Sequence, residues 1–328
     1  MKHFTASRFW IVLVAPLLIA FMHPAQANYL DRPELKAVVE KVAAEGVDPA
    51  WATQILADAE RKQSILDAIA RPAEKTKPWH EYREIFITDK RIQGGVDFAH
   101  EHEEALSVVS ENTGVPAEVI VAIIGVETFY GRITGSYRVI DALATLAFDY
   151  PKRSSFFTGE LEHFLVLAYH SGKDPLSLKG SYAGAMGYGQ FMPSSYRAYA
   201  KAYQGDGAAD IWSSPSDAIA SVANYFIAHG WQAGQPVAVK AHGEGAAEEV
   251  FNQGLKPKYT VGELAELGVA PLSPTDISVF ATPIQFELED GHEYWLGFKN
   301  FYAITRYNHS AMYAISVWQL AQAIAANL

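Results

Sequence analysis

The sequence has 328 residues, 49% hydrophobic and 19% charged, a globular composition long enough for one large core or two to three compact units. Its 26 basic and 37 acidic residues give a net charge of −11 without any basic block, which argues against a nucleic-acid partner. It contains no cysteine, which excludes disulfides, thiol nucleophiles, Cys-ligated zinc, iron–sulfur clusters and a lipidated N-terminal cysteine.

Lys2 and Arg8 are the only Lys, Arg, Asp or Glu residues before Asp31. The stretch from Phe9 to Met22 is apolar and is followed by Pro24-Ala25-Gln26-Ala27, an Ala-x-Ala cleavage pattern. Residues 1–27 therefore read as a signal peptide cut at Ala27, leaving a soluble, exported chain. Helical periodicity dominates from Asn28 to about Trp231. Amphipathic helices are expected from Pro33 to Ile69 with a break near Gly46-Val47-Asp48-Pro49, then a polar connection from Arg71 to Pro78. Tyr82 to Gly95 reads as irregular or partly extended, and Val96 to Asn112 as one helix. Val115 to Tyr130 is the most apolar helical stretch after the signal peptide, opened by Pro116 and closed by Gly131. Further helices are expected at Arg138–Phe148, Ser155–His170, Pro193–Tyr203 and Pro215–His229.

Beyond Trp231 the pattern changes. Pro236 to Ala241 alternates like a strand, and Thr260-Val261-Gly262-Glu263 has capping-box spacing for a short helix to Leu267. Ile277–Glu289 and Glu293–Phe298 read as a hairpin around Asp290-Gly291. A last helix is expected from Ser310 to about Ala326. The fold class is mainly α with a small antiparallel β insertion (α+β). Residues 28–234 and 300–328 form a helical body, with a helical N-terminal subdomain at about 28–75, and residues 235–299 form the insertion.

Glu127 follows the apolar run Val119-Ile120-Val121-Ala122-Ile123-Ile124-Gly125-Val126. Ile120, Ile123 and Ile124 share its helical face. Desolvation there, and the nearby helix C-terminus, both raise a carboxylic pKa, as a general acid near neutral pH requires. The plain alternative is a frayed helix end with its carboxylate in water. Gly180 to Tyr196 packs Gly184, Gly187 and Gly189 among Tyr, Ser and Gln, which suits a ligand loop or an ordinary turn before a helix at Pro193. His100 and His102 lie two apart, cannot share a helix face, and read as surface.

Glu127-Thr128-Phe129-Tyr130-Gly131 and the stretch Gly180–Tyr196 resemble the catalytic motifs of the B-type, or family 3, lytic murein transglycosylases. The resemblance continues through Trp212, Asp217-Ala218-Ile219, Ser221–Phe226, His229-Gly230-Trp231 and Asn300–Asn308. It implies a lysozyme-like helical core. It also implies cleavage of the β-1,4 bond between N-acetylmuramic acid and N-acetylglucosamine in peptidoglycan, leaving a 1,6-anhydromuramyl end. Glu127 would be the single acid/base, with the substrate's own N-acetyl group stabilising the oxocarbenium-like charge. Ser181 and Gln190 match site-lining positions, Tyr82, Tyr225, Tyr307 and Tyr313 match groove aromatics, and Lys152 and Arg153 match a basic pair for carboxylates of the strand. Glu160 and Glu162, beside His163, read as a solvated helix face.

The family's calcium loop corresponds here to Ala202–Asp210, where only Gln204, Asp206 and Asp210, with Asp217 beyond, offer oxygen ligands. No cofactor is expected to be required, and calcium is expected to be absent or weakly held. The expected partners are peptidoglycan glycan strands, with cell-wall synthases or amidases as possible protein partners. A periplasmic monomer is the expected form.

Overall fold

A computed structural model describes residues 29–71 and 77–328. The segment read as a signal peptide, with Ala27, lies outside those residues.

The chain opens with a 3-10 turn and three helices, α1 (Pro33–Ala44), α2 (Pro49–Ala57) and α3 (Gln63–Ala70). Asp48 starts α2 by accepting the Ala50 and Trp51 N–H groups, with Pro49 at the first helical position. Four helices follow: α4 (Trp79–Glu84), α5 (Asp89–Glu101), α6 (Glu103–Thr113) and α7 (Ala117–Thr128). Two expectations are corrected here. Tyr82 to Gly95 is not irregular or extended: it runs from α4 into α5, which is capped by the Thr88 hydroxyl accepting the Arg91 N–H. Val96 to Asn112 is not one helix, because the chain turns at His102, whose ring packs edge-on against Phe98 at 4.4 Å.

The helix α7 is apolar all round and occupies the centre of the body, against α5, α6, α11 (Pro215–Ala228) and α14 (Ala311–Ala325). Ile120, Ile123 and Ile124 are fully buried, each worth about 1.5–3 kcal/mol of transfer free energy. Helices α8 (Val139–Asp149), α9 (Ser154–Ser171) and α10 (Pro193–Tyr199) complete the body. A small antiparallel pair, β1 (Tyr137–Arg138) with β2 (Lys179–Gly180), ties α8 to the start of the glycine-rich loop. The helix α10 ends four residues earlier than Tyr203, since the Lys201 N–H goes to Ser221 Oγ (2.9 Å) and the Tyr203 N–H to Asp217 Oδ1 (3.0 Å).

The β region is one antiparallel sheet in the order β4-β6-β7-β3-β5. Its strands are β3 (Ala238–His242), β4 (Tyr259–Thr260), β5 (Ala270–Pro271), β6 (Phe280–Glu287) and β7 (His292–Gly297). Alternation explains its double burial. Ile284, Phe286 and Trp295 join the main helical core, whereas Ala281, Tyr294 and Leu296 face a second core with Val261 and Leu264 of α12 (Val261–Glu266). Thr260 and Glu263 form a reciprocal capping box at α12. The two ends of the region meet: Ala238 pairs with Gly297, and the Phe298 N–H donates to the Val237 carbonyl at 2.9 Å. Asn300, fully buried at the start of α13 (Lys299–Ile304), bonds both Gln232 and Gln235 and so fixes the return of the chain to the body.

Candidate active site

The site is built at the C-terminal end of α7. After Thr128 the chain leaves the helix through two non-glycine residues in left-handed conformation, Phe129 (φ 51°) and Tyr130 (φ 61°). The Tyr130 ring then lies back across the helix, and a Cβ added at Gly125 would fall 2.6 Å from its Oη. That close approach accounts for a glycine inside an otherwise apolar helix. Tyr130 Oη donates to the Arg91 carbonyl at 2.7 Å, pinning α7 to α5. Thr128, buried, has its hydroxyl 2.9 Å from the Tyr188 carbonyl and accepts the Gly131 N–H, which joins the helix end to the glycine-rich loop.

Glu127 sits on the open side of this junction. Among the described residues its carboxyl receives one side-chain hydrogen bond, from Tyr313 Oη to Oε1 at 2.6 Å. Tyr313 stands in the first turn of α14, whose N-cap Ser310 accepts the Tyr313 N–H. Burial pushes the Glu127 carboxyl up from 4.5 to about 7, and the Tyr313 hydrogen bond pulls the other way. Burial and the neighbouring Glu127 carboxylate hold the Tyr313 hydroxyl well above its usual 10, so it remains a donor throughout the neutral range. The same carboxylate, after burial, raises the hydroxyls of Tyr307 and of half-buried Tyr82. Glu127, Tyr82, Tyr307 and Tyr313 are therefore brought together from α7, α4, the turn after α13, and α14.

The other expected residues occupy supporting places. Tyr307 Oη donates to the Gly189 carbonyl at 2.7 Å, binding the last part of the body to the glycine-rich loop. Tyr225 is buried behind it, 4.7 Å away ring to ring, stacked on His229 and donating to the Arg306 carbonyl. Gln190 has φ 50°, and its amide donates to the Thr134 and Gly187 carbonyls. Its amide oxygen has no protein donor among the described residues. Ser181 Oγ accepts the Ala183 and Ala185 N–H groups and braces the start of the same loop. Lys152 and Arg153 are exposed in a 3-10 turn between α8 and α9, Arg153 lying over Phe156 at 4.4 Å. No hydrogen bond, ion pair or ring contact joins that pair to Glu127 or its tyrosines among the described residues.

Glu160 is not on a solvated face. It is 5% exposed and accepts both the Ser194 N–H (2.9 Å) and the Ser194 hydroxyl (2.7 Å). It thereby holds the start of α10, which directly follows the glycine-rich loop. Glu162 is partly covered and pairs with Lys41 at 3.0 Å. Thr128 and Glu160 are the positioning groups that sequence reasoning missed. The only signal for Thr128 was its place in the Glu127–Gly131 motif.

Beside the segment Ala202–Asp210, one Asp217 oxygen accepts the Tyr203 N–H and the other the Asp210 N–H. Asp210 accepts from Ser213 and Trp212 and lies 3.5 Å from the Lys173 ammonium, while Gln204 and Asp206 are exposed. Among the described residues no three His, Cys, Asp or Glu side chains are grouped to hold a metal ion, His100 and His102 included.

A helical body with a half-buried carboxyl held by a neutral phenol among tyrosines at a helix end is the arrangement of lysozyme-like glycan-cleaving enzymes. The chain belongs to the Transglycosylase SLT domain family, which matches residues 31–322, and within it to the B-type lytic murein transglycosylases. It is 46% identical over 308 residues to membrane-bound lytic murein transglycosylase B of Escherichia coli (strain K12), covering 91% of this chain and 84% of that one. The crystal structure of soluble lytic transglycosylase SltB1 from Pseudomonas aeruginosa superposes with a TM-score of 0.85 at 52% identity, covering 90% of this chain and 99% of that one. SltB3 from the same organism, in complex with NAG-anhNAM-pentapeptide, gives a TM-score of 0.80 at 32% identity, covering 89% and 78%.

Proposed function

We propose that this lytic transglycosylase cleaves the β-1,4 bond between N-acetylmuramic acid and N-acetylglucosamine in peptidoglycan with Glu127 as its only acid/base. The protonated carboxyl gives its proton to the glycosidic oxygen as the C1–O bond breaks. The resulting carboxylate takes the proton of the muramyl C6 hydroxyl while that oxygen bonds to C1. A 1,6-anhydromuramyl end forms, the second fragment leaves with a new hydroxyl, and no water is consumed. The N-acetyl group of the substrate offers the charge stabilisation that hydrolases draw from a second carboxylate.

The observation that carries this reading is the partner of Glu127. A neutral phenol orients the carboxyl without a cation to hold it ionised, and burial raises it to about 7. At neutral pH both protonation states are accessible, as a group that gives and then takes a proton requires. The half-buried face of Tyr82 and the amide oxygen of Gln190 supply apolar and polar contacts for sugar rings. SltB3 holding an anhydro-muramyl ligand is consistent with this outcome in a relative.

The test is mass spectrometry of muropeptides released from purified sacculi. Products one water lighter than hydrolytic ones are expected. Reducing ends would contradict the one-carboxylate mechanism.

We further propose a soluble periplasmic enzyme, released by cleavage at Ala27, that needs no metal. In support, Asp210 pairs with the Lys173 ammonium, and Asp217 accepts the backbone N–H groups of Tyr203 and Asp210. Treatment with a chelator is expected to leave both turnover and melting temperature unchanged, and a marked loss of either would refute metal independence.

A further inference from the structure

In an acidic chain, three cations converge on one ring without an acid among them. Arg91, Arg132 and Lys90 place their charged groups 5.0, 5.2 and 5.8 Å from the centre of the Phe129 ring. None of the three makes an ion pair among the described residues, and Asp89, next in sequence to Lys90, makes none either. Arg91 also covers Phe86 at 5.3 Å, and Phe86 packs on Tyr82 at 5.4 Å. A strip of ring contacts therefore runs from Tyr82 to Phe86 and on through Arg91 to Phe129, two residues after Glu127 in the chain.

The strip is built, not incidental. Arg91 is half-buried, donates to the Ile85 carbonyl through Nη1, and leaves Nε buried without an acceptor. Its backbone carbonyl holds Tyr130, so its position follows from the same junction that places Glu127. The aromatic faces attract the cations and keep them grouped despite their mutual repulsion. Cations gathered around one ring, with no ion-pair partner among the described residues, favour an anionic ligand.

We propose that Lys90, Arg91 and Arg132 bind the carboxylates of a peptide stem carried by the substrate strand. This rests on the peptidoglycan reading of the site. In a strand that bears stems the lactyl carboxyl is consumed in the amide to the peptide, so the free carboxylates lie on the stem, away from the sugars. A subsite displaced from Glu127 along α4 and α5 suits that placement. It is separate from Lys152 and Arg153, which lie between α8 and α9.

Lys90 and Arg132 are exposed and make no side-chain hydrogen bond among the described residues, so they can be neutralised without disturbing the fold. Binding is measured in the Glu127→Gln background, with and without Lys90→Gln and Arg132→Gln. The ligands are stem-bearing glycan strands and the same strands stripped by an amidase. About a 5-fold loss of affinity for stem-bearing strands is expected, with less than about 2-fold for stripped ones, two exposed charge contacts having that weight. Lys90→Arg with Arg132→Lys is expected to restore the preference. Equal loss on both strands, or no loss on stem-bearing strands, would overturn the proposal. Turnover of both strand types by the unaltered enzyme is followed in parallel. If it cuts neither, the functional reading fails, while the binding comparison still decides the stem subsite.

Discussion

Asp141 and Glu127 are both carboxyls of the helical body, one fully buried and the other half-buried, and their partners differ. Asp141, on α8 and 2% exposed, accepts two hydrogen bonds from Arg138 at 2.7 and 2.8 Å and the Glu60 N–H at 2.8 Å. It locks the connection between α2 and α3 onto α8. Glu127, at the end of α7, accepts one bond from an uncharged phenol. A guanidinium and an amide satisfy the anion; a phenol orients the carboxyl and leaves it free to exchange a proton. On the proposed reading, the reactivity of Glu127 follows from the lack of a cation partner among the described residues as much as from burial.

The contrast is broken most severely at Glu127 itself. Glu127→Gln keeps shape and hydrogen bonding but not proton transfer, and turnover of sacculi is expected to fall about 1,000-fold or more with the fold retained by circular dichroism. Asp141→Asn should do the reverse. It leaves Arg138 facing an amide at a buried seam, and about 3 kcal/mol of unfolding free energy should be lost in a denaturant titration. The rate constant of the folded enzyme should be unchanged.

The pH dependence of stability sharpens the same point. A carboxyl whose pKa is raised on folding binds its proton more tightly in the native state, so its stabilisation is present at low pH and lost as pH rises through about 7. Relative to Glu127→Gln, the unaltered protein should be less stable by about 3 kcal/mol at pH 8, and the gap should shrink toward pH 4.5. An unchanging difference across that range would show that Glu127 is not desolvated. Tyr313→Phe is the mildest change. It removes the bond that opposes the upward shift, so the alkaline limb of the rate profile should move to higher pH while the maximal rate drops about 10-fold.

Much of this was legible in the sequence where one local signal was unopposed. The apolar run ending at Glu127, the Asp290-Gly291 turn between alternating strands, and the Thr260–Glu263 capping box each specify their structure within a dozen residues. The start of α5 was not legible, since Tyr82 to Gly95, with two adjacent glycines at its end, reads as irregular or partly extended. Those glycines make room for side chains from other helices: an added Cβ would lie 3.0 Å from the Tyr130 ring at Gly94, and 2.4 Å from Ile324 Cδ1 of α14 at Gly95. Glu160 looked solvated in a charged stretch, and only the approach of α10, 34 residues on, buries it. Tyr313 matched a groove position, but its bond to Glu127 spans 186 residues and no local pattern encodes it.

The most direct measurement is the titration of the Glu127 carboxyl itself, by carbon-13 NMR of glutamate side-chain carboxyls, assigned as the resonance lost in Glu127→Gln. A midpoint at about 7 is expected for a desolvated carboxyl held by a neutral donor. A midpoint at 4.5, the ordinary value, would contradict the single acid/base mechanism, since the group would then be ionised before any substrate arrived.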